Sequence, residues 1–209
     1  MRKLNIFKQA GLAFLVAASC LSSAHGQGTI SASLTLTAQA SAGGYDYNLS
    51  LANNASSTDP IQTLWLAWRP GYDFLPSQPS NITTPSGWTY SVLGGGYNYY
   101  GVDGYSIEFT AANSGDAINP NDSLSFGFTS PDSPTSLNSS SPIFPYFSTL
   151  WSYVYSGGAS GPGAEPATDS AQITGIVAVP EPSTFALFAL GAALGLVVRR
   201  RASQRGGAR

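Results

Sequence analysis

The chain has 209 residues, of which 10% are charged, 12% aromatic and 43% hydrophobic. Its basic residues lie at the two ends, so residues 27–179 carry ten acidic side chains and one basic side chain, Arg69, a net charge of nine negative. The aromatic content excludes a charged disordered tail. The acidic middle excludes a nucleic-acid-binding protein, because phosphates would be repelled.

The first 26 residues have the pattern of an export signal. Three basic residues precede an apolar run at 10–21, and small residues follow at 22–26. Positive charge stays on the cytoplasmic side while a short apolar helix enters the membrane. We therefore predict that residues 1–26 form a signal helix that signal peptidase removes. The run is too short to be a permanent anchor across a core of about 30 Å.

Cleavage would remove Cys20 and His25, the only cysteine and the only histidine of the chain. The remaining body, residues 27–179, contains no lysine and can form no disulfide. Ser-His-Asp, Cys-His and Schiff-base mechanisms, and His/Cys zinc sites, therefore lack their residues. We predict no catalytic residues and a body that is not an enzyme.

The body has the two-residue period of β-strands. Apolar and hydroxyl side chains alternate over residues 29–38, and the alternation resumes at 45–51 after a Gly43-Gly44 turn, which predicts two adjacent antiparallel strands. The nearly continuous apolar run at 61–68 predicts a central strand buried on both faces. Further strands are predicted at 88–93, 97–100, 105–109, 124–128, 147–155 and 173–179.

Nine short strands without helical segments between them predict an all-β fold. We expect an antiparallel β-sandwich, for which an immunoglobulin-like topology is one possibility, flanked by the signal helix and a C-terminal transmembrane helix. The Gly/Pro-rich segment 157–170 is either a long loop or the start of a stalk, and the alternation from Ile173 favours a last strand after it.

The last thirty residues combine three elements in a fixed order. Pro180-Glu181-Pro182 is followed by an apolar stretch, for which we predict a transmembrane helix at 184–198, and then by three arginines at 199–201. The prolines end any preceding strand, and the arginines hold the far end of a helix of roughly 21 Å in the cytoplasm. The body would then lie outside the cytoplasm.

Residues 180–209 closely resemble the PEP-CTERM sorting signal. The resemblance implies processing by exosortase, an integral-membrane, cysteine-protease-like transpeptidase, in a Gram-negative bacterium that makes extracellular polysaccharide. It also implies an intermediate in the inner membrane, followed by transfer to the cell surface or the extracellular matrix. The residues that exosortase would read are Pro180, Glu181, Pro182, Arg199, Arg200 and Arg201. An ordinary membrane anchor with a stiff proline spacer is the alternative.

Three tyrosines beside a glycine-rich segment are candidates for glycan contact. Tyr97, Tyr99 and Tyr100 follow Gly94-Gly95-Gly96, and flat aromatic rings can stack on sugar rings. The alternative is that large aromatic side chains fill the core of a domain without disulfides. We assign that core role to Trp65, Trp88 and Trp151.

Two further constellations involve the acidic residues. Asp116, Asn119, Asn121 and Asp122 offer oxygen ligands for calcium in one short loop, although the same residues also make a good turn. Asp103 and Glu108 are the candidate pair for carboxylate-only glycoside hydrolysis, but spacing alone does not place them across a cleft.

The functional expectation is an exported, non-enzymatic surface or matrix protein associated with exopolysaccharide or biofilm. The alternatives are a carbohydrate-binding module for extracellular polysaccharide and a carboxylate-dependent glycosidase.

Overall fold

The computed structural model describes residues 28–94, 104–139, 148–166 and 168–178. Within these ranges the chain forms strands joined by loops, one α-helical turn, α1 (Pro134–Leu137), and one 3-10 turn (Ser114–Asp116). The strands in chain order are β1 (Ala32–Ser41), β2 (Gly44–Asn53), β3 (Thr63–Leu66), β4 (Trp68–Arg69), β5 (Tyr72–Asp73), β6 (Ser80–Thr83), β7 (Trp88–Gly94), β8 (Tyr105–Ala111), β9 (Ser123–Ser130), β10 (Trp151–Tyr155), β11 (Ser170–Thr174) and β12 (Ile176–Ala178).

Two five-stranded sheets make the sandwich. The first sheet has the order β12-β1-β2-β9-β6, and the second sheet has the order β11-β10-β3-β8-β7. Every pair in them is antiparallel except β1 with β12, which is parallel. The order β1-β2-β9-β6 facing β3-β10-β11 is the ABED and CFG arrangement of immunoglobulin domains, with the β7–β8 hairpin added beside β3. The prediction of an all-β sandwich is confirmed.

The core lies between the two sheets and is built from alternate residues of each strand. Leu34 and Leu36 of β1 and Leu49 and Leu51 of β2 point inward and are buried, while the residues between them are exposed. Burying one such side chain contributes about 1.5–3 kcal/mol. The facing residues of the second sheet include Leu64, Leu66, Ile107, Phe109 and Val154.

The β1–β2 hairpin follows from the alternation predicted for it. The register runs without interruption from Ala32 opposite Asn53 to Ser41 opposite Gly44. Gly44 has a φ of 129°, a conformation that residues with a Cβ rarely adopt. The predicted pair of adjacent antiparallel strands is confirmed.

The apolar run 61–68 forms a strand that is shorter than predicted. All four residues of β3 are buried, as expected for a strand covered on both faces. The strand ends because Ala67 has a φ of 55°, and its amide donates to the Ser152 hydroxyl at 3.0 Å instead of to a strand partner. The chain then starts the separate β4–β5 pair.

The predicted last strand, 173–179, is two strands in different sheets. β11 pairs with β10 in the second sheet, and β12 pairs with β1 in the first. The chain changes sheets at Gly175, where a Cβ would approach Leu34, Leu36 and Leu150 to 3.1–3.2 Å. The prediction of one continuous strand at 173–179 is therefore wrong. Gly175 has no side chain, so the chain can cross the edge of the core there.

Other differences concern the ends of elements. β6 lies between the strands predicted at 61–68 and 88–93, where no strand was predicted, and β10 begins at Trp151 instead of residue 147. The strand predicted at 97–100 and the signal and transmembrane helices lie outside the described residues. Within the described ranges, no helix has the length and hydrophobicity needed to cross a membrane.

Candidate functional site

The outer face of the second sheet carries a cluster of large aromatic side chains. Trp65 and Trp68 approach to 4.2 Å between ring centroids, and Trp68 meets Tyr153 edge-on at 6.0 Å. Tyr153 stacks near Tyr155 at 6.3 Å. Trp65 faces away from the core because its neighbours Leu64 and Leu66 face into it. This cluster is therefore a second apolar layer, separate from the core.

Residues 156–166, here called the covering loop, follow β10 and are fastened to the second sheet by three hydrogen bonds. The Tyr155 hydroxyl donates to Glu165 Oε1 at 2.8 Å, and the Thr63 hydroxyl donates to the Gly157 carbonyl at 2.8 Å. The Gly163 amide donates to Glu108 Oε2 at 3.0 Å. Burial and the adjacent Glu165 raise the pKa of Tyr155, so its hydroxyl stays a donor.

Glu108 is a buried carboxylate beneath this loop, with 2% of its surface exposed. Its Oε2 accepts from the Ser91 hydroxyl at 2.9 Å as well as from Gly163. Its Oε1 has no hydrogen-bond partner in the described ranges. The indole Nε1 of Trp65, directly opposite Glu108 in the β3–β8 register, likewise lacks one there. A buried carboxylate oxygen without a donor is energetically costly.

A groove of about 150 Å³ opens beside Glu108, between the edge of the second sheet and the covering loop. Tyr90 is 51% exposed, but its side chain projects from the face of the sheet opposite Ser91 and Glu108, because Tyr90 pairs with the core residue Phe109. The sheet side is lined by Thr89, Tyr90, Ser91, Glu108 and Thr110, and the loop side by Ala159, Gly161 and Pro162. The groove thus combines hydroxyl groups and a buried carboxylate.

β12 is the last strand in the described part of the chain and lies at one edge of the first sheet. Asn138 fixes this strand with two hydrogen bonds: its Nδ2 donates to the Val177 carbonyl at 2.9 Å, and the Val177 amide donates to its Oδ1 at 3.0 Å. Because β12 is parallel to β1, β12 runs in the direction of the β1–β2 turn. Its last residue is Ala178. Pro180 comes two residues later in the sequence.

The family model described as the PEP-CTERM protein-sorting motif matches residues 178–201. This chain carries the PEP-CTERM sorting motif. The motif indicates an exported protein that is targeted to exosortase and processed at the membrane. No curated protein matches the chain in sequence.

The PEP-CTERM match includes every residue predicted to be read by exosortase. Those residues are Pro180, Glu181, Pro182, Arg199, Arg200 and Arg201, and all six lie outside the described residues. The match starts at Ala178, the last residue of β12, so the sorting motif follows the folded body without a spacer.

The tyrosines predicted to contact glycan also lie outside the described residues. Tyr97, Tyr99 and Tyr100, and with them Asp103, belong to the connection between β7 and β8. That connection starts at Gly94, which pairs with Tyr105 at the end of the β7–β8 hairpin. Their glycan contact stays a prediction.

The predicted calcium ligands divide between two local structures. The Asp116 carboxylate accepts from the Asn113 amide at 3.1 Å, next to the 3-10 turn. Residues 119–122 form a turn, in which the Asp122 amide donates a hydrogen bond to the Asn119 carbonyl at 3.0 Å. Asn121 in this turn has a φ of 72°. Pro at the second position and Asn at the third are typical of a type II turn.

In the part of the chain that the structure describes, no three His, Cys, Asp or Glu side chains come together as they would around a metal ion. Calcium binding by Asp116, Asn119, Asn121 and Asp122 stays a prediction, and the turn already accounts for the last three of these residues.

Sequence reasoning found Glu108 but assigned it to hydrolysis, and it missed Tyr90. A charged residue between the apolar residues Ile107 and Phe109 was the available signal for an unusual environment. Nothing in the sequence indicated that Ser91, Trp65 and Gly163 would surround it, because the three come from different parts of the chain.

Proposed function

We propose that the sandwich is a non-enzymatic surface or matrix protein that exosortase delivers to the outside of the cell, where it associates with exopolysaccharide. The observation that carries the proposal is the position of the sorting motif. It begins at the last residue of β12, so the motif delivers one β-sandwich whose final strand is fixed by Asn138.

The environment of Glu108 supports binding over hydrolysis. A glycosidase holds two carboxyl groups about 5–10 Å apart on either side of the scissile bond. Glu108 lies beneath the covering loop, with Oε2 occupied by Ser91 and Gly163. Among the described residues that line the groove, Glu108 has no second carboxylate beside it, so the paired arrangement of a glycosidase is not met there, which favours binding over hydrolysis.

The negative charge of the body limits the class of polysaccharide with which it can associate. Residues 27–179 carry a net charge of nine negative, and their only basic residue, Arg69, lies over the rings of Tyr72 and Trp151. An acidic body would be repelled by an acidic polymer, whereas neutral or amine-bearing polymers meet no such repulsion. A carbohydrate-binding module is the second candidate, favoured by the exposed aromatic ring of Tyr90.

Cell fractionation of the tagged body tests this proposal. In a host with exosortase we expect the body in the surface or matrix fraction, and in the same host without exosortase we expect it in the inner membrane. A variant with Pro180, Glu181 and Pro182 replaced by alanine should behave like the host without exosortase. A host that makes no exopolysaccharide should release the processed body into the medium. The same distribution in all four samples would contradict the proposal.

A further inference from the structure

The β1–β2 hairpin extends past the end of β12, on the side of the molecule where the sorting motif begins. The last residue of β12, Ala178, pairs with Thr37, whereas β1 continues to Ser41 before the chain turns into β2. Residues 38–47 are here called the overhang. The four residues that β1 adds beyond Thr37 correspond to about 14 Å of strand.

The sorting motif lies within reach of the overhang in any conformation of the chain between them. A chain advances at most about 3.6 Å per residue, so Pro180 is within roughly 7 Å of Ala178 and Pro182 within roughly 14 Å. The two hydrogen bonds from Asn138 to Val177 fix the strand from which these distances are measured. An enzyme that reads the motif therefore comes within the length of the overhang.

The edge of β1 is open in the overhang. In the described ranges β12 pairs with residues 35–37 of β1, and no other strand pairs with β1 on that side. Pro180 and Pro182 have no amide hydrogen, so they cannot donate to this edge as a longer β12 would. The backbone groups of residues 38–41 on that side are therefore accessible to water or to a partner protein.

The overhang is almost free of charge, although the body as a whole is acidic. Residues 29–45 contain no charged side chain, and Ala40 and Ala42 are exposed. The single charged residue of the overhang, Asp46, accepts a hydrogen bond from the Thr129 hydroxyl at 2.8 Å. Aspartate and glutamate are rare at the centres of protein interfaces, because charged groups are costly to desolvate. The overhang meets this requirement.

The opposite end of the hairpin is acidic. There the Asn53 side chain donates to the Asp59 carbonyl at 2.9 Å, and the Asn53 amide donates to the Asp122 carbonyl at 3.0 Å. These two bonds bring loops that carry acidic residues together at that end. A partner protein therefore meets fewer charged groups at the overhang than at the far end.

We propose that the overhang is a contact surface for exosortase, so that the enzyme reads the sorting motif together with the end of the sandwich beside it. The inference rests on the proposed delivery by exosortase and adds a recognition surface within the body. A body whose overhang is obstructed should be a poorer substrate even though its Pro180-Glu181-Pro182 sequence is unchanged.

Two exposed alanines at opposite ends of the hairpin provide a matched test. Ala42→Glu places a carboxylate at the tip of the overhang, and Ala55→Glu makes the same change in the loop after β2. Pulse-chase labelling in a host with exosortase measures how fast the full-length chain loses its C-terminal segment. Thermal unfolding of each processed protein is measured in parallel.

Ala42→Glu should slow processing by roughly tenfold at unchanged Tm, because an unpaired carboxylate in a contact surface is costly to desolvate. Ala55→Glu should be processed like the parent. Equal processing rates of Ala42→Glu and the parent would overturn the contact surface, although the proposed function would stand.

A spacer distinguishes a local contact from a defect in folding or export. A flexible Gly/Ser segment of about twelve residues, inserted between Ala178 and Val179, spans roughly 20 Å and separates the motif from the overhang. In the protein with the spacer, Ala42→Glu should no longer slow processing. A tenfold loss that persists with the spacer would also overturn the proposal.

Cross-linking identifies the partner directly. The body has no cysteine, so Ala42→Cys and Ala55→Cys each provide a single thiol for a photo-cross-linker once the signal is removed. In a host whose exosortase is inactive, Ala42→Cys should cross-link to exosortase and Ala55→Cys should not. Cross-links from Ala42→Cys to lipid alone would assign the overhang to the bilayer and contradict the enzyme contact. If the parent keeps its C-terminal segment in a host with active exosortase, the proposed delivery itself is wrong.

Discussion

The outward-facing side chains of β1 in the first sheet are polar and mostly exposed, whereas several outward-facing side chains of the second sheet are large and buried. Thr35 and Ser50 of the first sheet are exposed to solvent, and the residues beside them in each strand face the core. In the second sheet Trp65, Glu108 and Tyr155 point outward and are buried with the help of the covering loop. The first sheet is thus an ordinary one-sided sheet, and the second sheet supports a third layer.

This difference between the outer faces of the two sheets indicates where a binding site can form. A sheet face of hydroxyl side chains is hydrogen-bonded by water and needs no covering segment. A face that buries tryptophans and a carboxylate requires a cover and specific partners, and it leaves the unsatisfied Glu108 Oε1 next to a groove. Such local departures from simple packing often mark a binding site.

The largest expected difference between the sheets comes from truncating one outward-facing residue in each. Trp65→Ala should lower the free energy of unfolding by about 3–5 kcal/mol, because it empties a buried site. Ser50→Ala on the first sheet should change it by less than about 0.5 kcal/mol. Urea denaturation measures both. Similar small losses in the two variants would show that the aromatic layer does not contribute to folding.

A pair of neighbouring glycines tests the hairpin of the first sheet. Gly44 has a positive φ, and a Cβ there would collide with the Ser130 carbonyl oxygen, whereas a Cβ on Gly43 meets nothing within 4 Å. Gly44→Ala should therefore cost about 1–3 kcal/mol of unfolding free energy. Gly43→Ala should be nearly neutral in the same urea experiment. Equal effects would contradict the described β1–β2 turn.

Removing one hydroxyl tests how the covering loop is held. Tyr155→Phe loses the hydrogen bond to Glu165 and should cost about 1 kcal/mol of unfolding free energy. Amide hydrogen exchange should become faster in the covering loop and stay unchanged in the first sheet. Tyr153→Phe is the matched control, because the Tyr153 hydroxyl makes only a long 3.4 Å contact to Gln172 at the surface. Unchanged exchange in the loop of Tyr155→Phe would show that this bond does not hold it.

The smallest expected effect is a change in pH dependence at Asp73, in β5. Burial raises the pKa of this carboxyl above its ordinary 3.8 and outweighs the hydrogen bond that it accepts from Ser106 at 2.6 Å. The folded protein therefore holds the proton more tightly than the unfolded chain does. The contribution of Asp73 to stability is greatest below pH 3.8 and is lost as pH rises through the folded-state pKa.

Asp73→Asn cannot ionise, and its amide oxygen can still accept from Ser106. In urea denaturation between pH 4 and pH 7, the variant should lose less unfolding free energy with rising pH than the parent loses. Parallel pH profiles would show that Asp73 does not titrate differently in the folded and unfolded protein.

Strands that show their burial in the sequence were predicted in both sheets. Alternation identified β1 and β2, and the apolar run identified β3. β6 escaped prediction because only one of its four residues, Ile82, is apolar, so this short edge strand shows no alternation. The change of sheet at Gly175 depends on how closely the core packs, which a single sequence does not display.

The sorting motif and the groove represent opposite cases. The motif is contiguous, with charge, proline and hydrophobicity in a fixed order, so the sequence alone predicts it and the family match confirms it. The groove draws Tyr90 from β7, Glu108 from β8 and Pro162 from the covering loop. Only the pairing of strands brings these residues together.

Intact mass spectrometry of the exported protein tests the central claim most directly. In a host with active exosortase, the protein should lack the C-terminal segment that ends at Arg209, and the alanine variant of Pro180, Glu181 and Pro182 should keep it. A full-length C-terminus on the exported parent protein, equal in hosts with and without exosortase, would contradict the account.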